Sequence, residues 1–70
     1  MLSGELERAI RDAIDQMPEK SREVFQLSRD QGLRYVEIAS ALDISVKTVE
    51  KRMGLALAHL RERLAGWLVG

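Results

Sequence analysis

The chain has 70 residues, with 11 lysines and arginines balanced by 11 aspartates and glutamates, and 46% of its residues are hydrophobic. A chain this short buries only about 60% of its unfolded surface, so we expect one compact domain without a roomy substrate pocket. The absence of cysteine and the single histidine exclude disulfides, thiolate catalysis and zinc sites built from cysteine or several histidines. We therefore expect no metal, no cofactor and no small-molecule substrate. The zero net charge argues weakly against nucleic acid as a partner, since DNA-binding domains usually carry a basic excess.

No segment has the length and apolarity of a membrane-spanning helix, and the N-terminus lacks the basic and then apolar order of a signal peptide. The sequence therefore predicts a cytoplasmic protein with no membrane partner.

Apolar residues recur at spacings of three and four along nearly the whole chain, and the alternation typical of a strand is never sustained. This pattern predicts an all-α fold, a small four-helix domain. The first helix is predicted from about Gly4 to Gln16, with one apolar stripe facing the core. The stripe consists of Leu6, Ala9, Ile10, Ala13, Ile14 and Met17.

The second helix is predicted from Pro18 to Asp30, because proline suits the first turn of a helix, where its missing N–H is not needed. Gly32 is placed to supply the left-handed residue that ends this helix. Its predicted buried positions are Val24, Phe25 and either Leu27 or Ser28.

The third helix is short and is predicted from Arg34 or Tyr35 to Leu42, followed by a tight connection over residues 43–45 in which Ser45 is the N-cap of the next helix. Its apolar positions are Val36, Ile38, Ala39 and Leu42.

The fourth helix is predicted to start at Val46 and to meet no breaker until Gly66. Some 20 helical residues span about 30 Å, which is more than the core of so small a domain needs. We therefore expect part of this helix to protrude or to face a partner. Its predicted inner stripe is Val49, Met53, Ala56, Leu57, Leu60 and Leu64.

The third and fourth helices, with the short turn between them, match a helix-turn-helix. Ala39 permits their close approach, Ile44 fills the core beneath the turn, and Val49 packs the fourth helix back on the third. The outer side of the fourth helix then carries Lys47, Thr48, Glu50, Lys51 and Arg52.

These outer side chains suit duplex DNA, because the major groove admits one α-helix and its base edges accept hydrogen bonds from lysine and contacts from threonine. We predict that Lys47, Thr48 and Lys51 contact bases. Phosphate contacts are predicted for Ser45 with the nearby backbone N–H groups, for Arg52, and for Arg34 or Tyr35 at the start of the preceding helix.

Four segments together resemble region 4 of bacterial sigma factors, and most closely that of the extracytoplasmic-function group with its iron-transport regulators. The resemblance covers roughly Leu6 to Leu64. It rests on the residue runs 17–25 (MPEKSREVF), 32–39 (GLRYVEIA) and 44–53 (ISVKTVEKRM), and on Ala56-Leu57 with Leu60-Arg61.

The resemblance implies binding of the promoter −35 element through the helix that begins at Val46, contact with the flap of the RNA polymerase β subunit, and possible capture by an anti-sigma factor. It places Lys47, Thr48 and Lys51 at base-reading positions. It also places Ser45 and Arg52 at the DNA backbone, and Arg29 and Arg34 near phosphates.

Two residues depart from the family pattern, and one whole region of the family is absent. The position of Leu55 is often basic in the family, so one phosphate contact is expected to be lost, and Gly54 stands in a helix interior. Sigma factors also have a region 2, which has no counterpart here. We expect an isolated region 4, able to bind DNA or a protein but unable to initiate transcription.

Two other functions remain open at this point, the output domain of a LuxR-type response regulator and a helix-turn-helix that serves only as a protein-interaction module. An enzyme is not expected, because Asp12, Asp15, Glu19 and Glu23 have basic neighbours at helical spacing and suit exposed ion pairs. His59 is expected on the surface or in helix packing.

The apolar tail from Leu64 to Gly70 allows two interpretations. Trp67 and Leu68 either fold back on the first helix or form an exposed anchor for a partner or a second copy.

The neutral charge is a cancellation between two parts of the chain. Residues 1–43 contain six basic and nine acidic residues, a net −3, whereas residues 44–70 contain five basic and two acidic residues, a net +3. The proposed DNA-reading helix therefore carries the positive field. We expect an isolated domain that binds DNA weakly and depends on tethering to polymerase.

Overall fold

The computed structural model describes the backbone of residues 2–68 and the side chains of residues 4–67. Its helices are α1 (Leu2–Asp15), α2 (Glu19–Gln31), α3 (Tyr35–Leu42), α4 (Val46–Arg63) and the short α5 (Ala65–Leu68), and residues 2–68 contain no strand. The prediction of an all-α domain with a long C-terminal helix is confirmed. No helix in this part of the chain is both long and apolar enough to cross a bilayer.

The start and end of α2 depend on two special residues. Pro18 is the N-cap of α2 and not its first helical residue, because its ψ of 139° is extended while its carbonyl already accepts the N–H of Arg22 at 2.8 Å. Gly32 has a φ of 64° and ends the helix in the left-handed conformation, as predicted. The N–H of Leu33 then donates to the carbonyl of Leu27 at 3.3 Å, which closes the last turn.

The long helix ends earlier than the sequence predicted. α4 stops at Arg63, and Leu64 forms a turn in which its N–H donates to the Leu60 carbonyl at 2.9 Å. The N–H of Trp67 donates to the Leu64 carbonyl at 2.9 Å, so Gly66 lies inside the short α5 and is not the residue that breaks the helix. Glycine destabilises a helix by about 1 kcal/mol relative to alanine. The interruption nevertheless falls at Leu64, two residues before Gly66.

The first core cluster joins α2, α3 and α4 and holds the helix-turn-helix together. Val24, Ile38 and Val49 are fully buried, and Ala39 and Met53 lie beside them. These positions confirm the predicted contacts of Ala39 and Val49. The residues packed around the cluster are Phe25, Leu27, Leu33, Leu42 and Ile44.

The second core cluster attaches α1 to the later turns of α4. Ile14 and Met17 are buried against Ala56, which is fully buried on α4. α4 therefore serves two clusters in succession, at Val49 and Met53 and then at Ala56. The residues packed around this cluster are Ile10, Phe25 and Leu60.

Two predicted apolar positions are exposed, and one polar residue is buried. Leu57 is 47% exposed because it lies about 100° around α4 from the buried Ala56. Val36 is 68% exposed because it lies two residues from Ile38, on the other side of α3. Ser21, which the apolar pattern did not single out, is buried one turn before Val24.

The C-terminal end of α1 is held by donors from two other helices. Met17 donates its N–H to the Ile14 carbonyl at 3.1 Å, which leaves the Ala13 carbonyl without its usual intrahelical donor. His59 of α4 lies with its Nε2 at 2.9 Å from that carbonyl oxygen, and Arg22 of α2 donates from Nη1 to the Asp15 carbonyl at 3.0 Å. Because a carbonyl can only accept, Nε2 of His59 is the donor in this hydrogen bond. His59 thus has the helix-packing role expected of it.

The structure describes part of the apolar tail. α5 contacts α4, and Trp67 is 39% exposed. The side chain of Leu68 and residues Val69 and Gly70 lie outside the described residues. Whether the tail folds back or serves as an anchor remains a prediction.

Candidate nucleic-acid interface

The turn between α3 and α4 is built around a left-handed aspartate. Asp43 has φ 56° and ψ 48°, and its N–H lies 3.3 Å from the Ser40 carbonyl. The N–H of Ile44 donates to the Ala39 carbonyl at 3.0 Å, and Ile44 packs against the first core cluster. Aspartate enters this region more readily than most residues. Sequence reasoning placed Asp43 in the turn but missed its conformation, although an aspartate just after a helix is a usable signal.

The start of α4 is capped as predicted. Ser45 is extended, with φ −77° and ψ 155°, and its Oγ accepts the N–H of Thr48 at 3.1 Å. The hydroxyls of Ser45 and Thr48 lie 2.9 Å apart and share a hydrogen bond. The cap satisfies one of the backbone donors that every helix start leaves unpaired. Thr48 is half-buried, so it is less available to a ligand than its lysine neighbours.

The first two turns of α4 present two lysines to solvent. Lys47 and Lys51 are both exposed and stand four residues apart, which places them on one face of the helix. Val49, between them in sequence, is fully buried in the first core cluster. Glu50 is exposed and Arg52 is half-buried. The buried Val49 therefore fixes α4 with its lysine face outward.

The start of α3 places a second pair of predicted site residues. Arg34 is the N-cap of α3, and its N–H donates to Oε1 of Glu37 at 2.8 Å. The Arg34 Nε also lies 3.6 Å from that oxygen, yet the arginine side chain is 86% exposed. Tyr35 is 36% exposed at the first position of the helix. The sequence reasoning missed Glu37, although an acidic residue three positions after a helix cap is a known signal.

Arg29 lies on α2, outside the helix-turn-helix itself. It is exposed on α2 and lines an open groove between α1 and α2. None of the other predicted site residues lines this groove. The groove therefore does not join Arg29 to the rest of the predicted site. The groove is lined by Glu7, Ile10, Arg11, Ile14, Asp15, Gln26, Arg29 and Asp30.

Residues 7–60 match the family described as sigma-70, region 4, which is a non-enzymatic part of transcription factors. The chain is 36% identical over 67 residues to the RNA polymerase sigma factor FliA of Pseudomonas aeruginosa, an alignment that covers 96% of this chain and 27% of that protein. It is 42% identical over 64 residues to the ECF RNA polymerase sigma-E factor of Haemophilus influenzae, covering 91% of this chain and 34% of that protein. The chain therefore spans about a third or less of these curated relatives. No solved structure shows significant similarity to it.

Proposed function

The chain belongs to the sigma-70 region 4 family, and we propose that it recognises the −35 element of promoters as part of a sigma factor that directs RNA polymerase to transcription initiation. The observation that carries this proposal is the pair of exposed lysines, Lys47 and Lys51, on the outward face of a capped helix within a helix-turn-helix. A helix of this kind fits the major groove, where lysine donates to the O6 and N7 atoms of guanine.

In the proposed complex the first turns of α4 lie in the major groove. Lys47 and Lys51 donate to base edges. Thr48 contributes through its methyl group, because its hydroxyl is already bonded to Ser45 in the cap, and a threonine methyl suits the methyl group of thymine. The residues proposed to contact phosphates are Arg29, Arg34, Tyr35, Ser45 and Arg52.

The phosphate contact of Arg34 depends on its ion pair with Glu37. That pair is exposed, and exposed pairs contribute only about 0 to 1 kcal/mol. A DNA phosphate can therefore replace the carboxylate as partner of the guanidinium at little cost. Glu37 would remain bonded to the backbone N–H of Arg34 and would keep the start of α3 in place.

The proposed protein partner is the RNA polymerase core, contacted through its β flap, and an anti-sigma factor is a second proposed partner. The proposed location is the cytoplasm, where promoter DNA and polymerase meet in bacteria. Because the chain belongs to the sigma-70 region 4 family, the alternative of a LuxR-type output domain no longer applies. A helix-turn-helix that only binds proteins remains the competing hypothesis, and the DNA-binding measurements below separate the two.

The charge distribution limits how tightly the isolated domain can bind DNA. The net +3 of residues 44–70 attracts phosphates, whereas the net −3 of residues 1–43 opposes that attraction. We therefore expect weak binding by the domain alone and effective promoter occupancy only when it is tethered to polymerase, which raises its effective concentration. Nanomolar affinity for a single −35 duplex at physiological salt would contradict this expectation.

The test is selection of bound duplexes from a random pool by the 70-residue chain at low salt. A recovered consensus sequence, with affinity that falls steeply as salt rises, is expected for a helix that contacts phosphates and bases. Failure to retain any duplex at low salt, together with binding to a polymerase flap peptide, would favour the protein-interaction module.

Lysine variants then test the assigned roles on the selected duplex. Lys47→Ala or Lys51→Ala should weaken binding by about 1 to 3 kcal/mol and relax the preference at one base pair. Lys20→Ala is the matched control, because Lys20 is also exposed but lies in the first turn of α2 and is not among the residues proposed to contact DNA. An equal loss on every sequence would reassign the lysines to phosphate contacts.

A further inference from the structure

Leu55 lies in line with the proposed DNA-reading face, and no neighbouring element covers it. Its side chain is 55% exposed, the second highest value among the exposed large hydrophobic residues. It stands four residues after Lys51 and seven after Thr48, so all three lie along one side of α4. The rise from Lys51 to Leu55 is about 6 Å along the helix axis. The side chain is therefore continuous with the proposed interface.

The surroundings of Leu55 allow a close approach of DNA. Gly54 has no side chain, and a Cβ built there would meet no atom within 4 Å. Ala58, three residues after Leu55, is exposed and carries only a methyl group. Leu55 therefore projects beyond Gly54 and Ala58. Because it has no hydrogen-bonding group, it can recognise only an apolar feature of a duplex.

The major groove has one such feature, the C5-methyl group of thymine. We propose that Leu55 is a specificity-determining residue that contacts a thymine methyl group next to the bases contacted by Lys47 and Lys51. This inference rests on the proposed function. It gives Leu55 a role in selecting the sequence, where the family pattern alone suggested a lost phosphate contact.

The experiment replaces each thymine of the selected duplex, one at a time, with deoxyuridine, which lacks only the methyl group. Beside any thymine that Thr48 contacts, the 70-residue chain should lose about fourfold in affinity at one further thymine, the factor that burial of one methyl group corresponds to. Leu55→Ala should bind the thymine duplex more weakly and should no longer distinguish thymine from uridine there. Leu57→Ala is the matched control, because Leu57 is also exposed on α4 but lies on another side of it.

A second variant separates base recognition from general attraction. Leu55→Lys should bind all duplexes more tightly at low salt, because lysine contacts phosphates, yet it should show no preference for the thymine methyl. The inference is overturned if no thymine is sensitive to loss of its methyl, or if Leu55→Ala stays as sensitive as the unmodified chain at every sensitive thymine. Either result leaves the proposed function standing when the selected consensus persists. If the unmodified chain showed no preference for any sequence, the proposed function itself would be refuted.

Discussion

The two core clusters hold their helices in different ways. The cluster of α2, α3 and α4 contains three fully buried side chains, Val24, Ile38 and Val49, and relies on apolar packing. The cluster that attaches α1 is smaller, and beside it His59 and Arg22 donate hydrogen bonds to the last carbonyls of α1. The helix-turn-helix is thus fixed by non-directional burial, whereas α1 is attached by burial together with directional bonds.

This difference separates the helices that would contact DNA from the helix that supports them. The orientation of Lys47 and Lys51 depends on the buried Val49 between them and so on the first cluster. In the second cluster α1 packs against Ala56 and Leu60 of α4. Damage at α1 should therefore lower stability while leaving the lysine face in place.

The largest expected effect is loss of packing in the first cluster. Ile38→Ala removes most of a fully buried side chain and should cost about 2 to 5 kcal/mol, a large share of the roughly 4 to 10 kcal/mol that holds a domain of this size together. Ile14→Ala in the second cluster should cost less, near the lower limit of about 2 kcal/mol, because Ile14 borders the open groove between α1 and α2 and the site can close more easily. Urea unfolding, monitored by circular dichroism, measures the loss of stability in both variants.

The DNA affinity of these two variants, measured where both remain folded, completes the comparison. Ile14→Ala should bind the selected duplex as the unmodified chain does, whereas Ile38→Ala should bind it more weakly. Equal loss of affinity in both would mean that α1 also determines the orientation of α4.

The next effect concerns the hydrogen bond between α4 and α1. His59→Phe keeps a ring of similar size but leaves the partly buried Ala13 carbonyl without a donor, which should cost about 1 to 3 kcal/mol. His59→Gln retains an N–H donor and should recover part of that loss. Amide hydrogen exchange should accelerate in α1 more than in α3. An equal loss in both variants would assign the role of His59 to packing alone.

The sequence predicted the helices and the first cluster well. The spacing of apolar residues at about 3.6 positions, and glycine or serine at helix ends, are signals carried by neighbouring residues in the chain. It placed Leu57 and Val36 on the apolar faces, but both are exposed. Hydrophobicity alone does not show which apolar residues at the edge of a helix face are covered by a neighbouring helix. The bond from His59 to Ala13 joins residues 46 positions apart, and no local pattern encodes such a contact. The base and phosphate contacts remain predictions, since they depend on a partner.

The two helix ends flanking α3 share one backbone geometry but not one residue. Gly32 has a φ of 64° and Asp43 a φ of 56°, and in each case the following N–H bonds back to the preceding helix. Glycine adopts this conformation without strain, whereas a residue with a Cβ is strained by about 1 to 2 kcal/mol. The end of α2 is thus unstrained, while the turn into α4 already contains strain that aspartate partly tolerates.

The smallest expected effect follows from this contrast. Gly32→Ala should cost about 1 to 2 kcal/mol, because it introduces the whole left-handed strain, and a Cβ there meets no atom within 4 Å that could add a clash. Asp43→Ala should cost only about 0.5 kcal/mol, because the strain is present before the substitution and only the local polar preference of aspartate is lost. Urea midpoints of the two variants measure the difference. A larger loss at Asp43 would mean that its carboxylate stabilises the turn through contacts of its own.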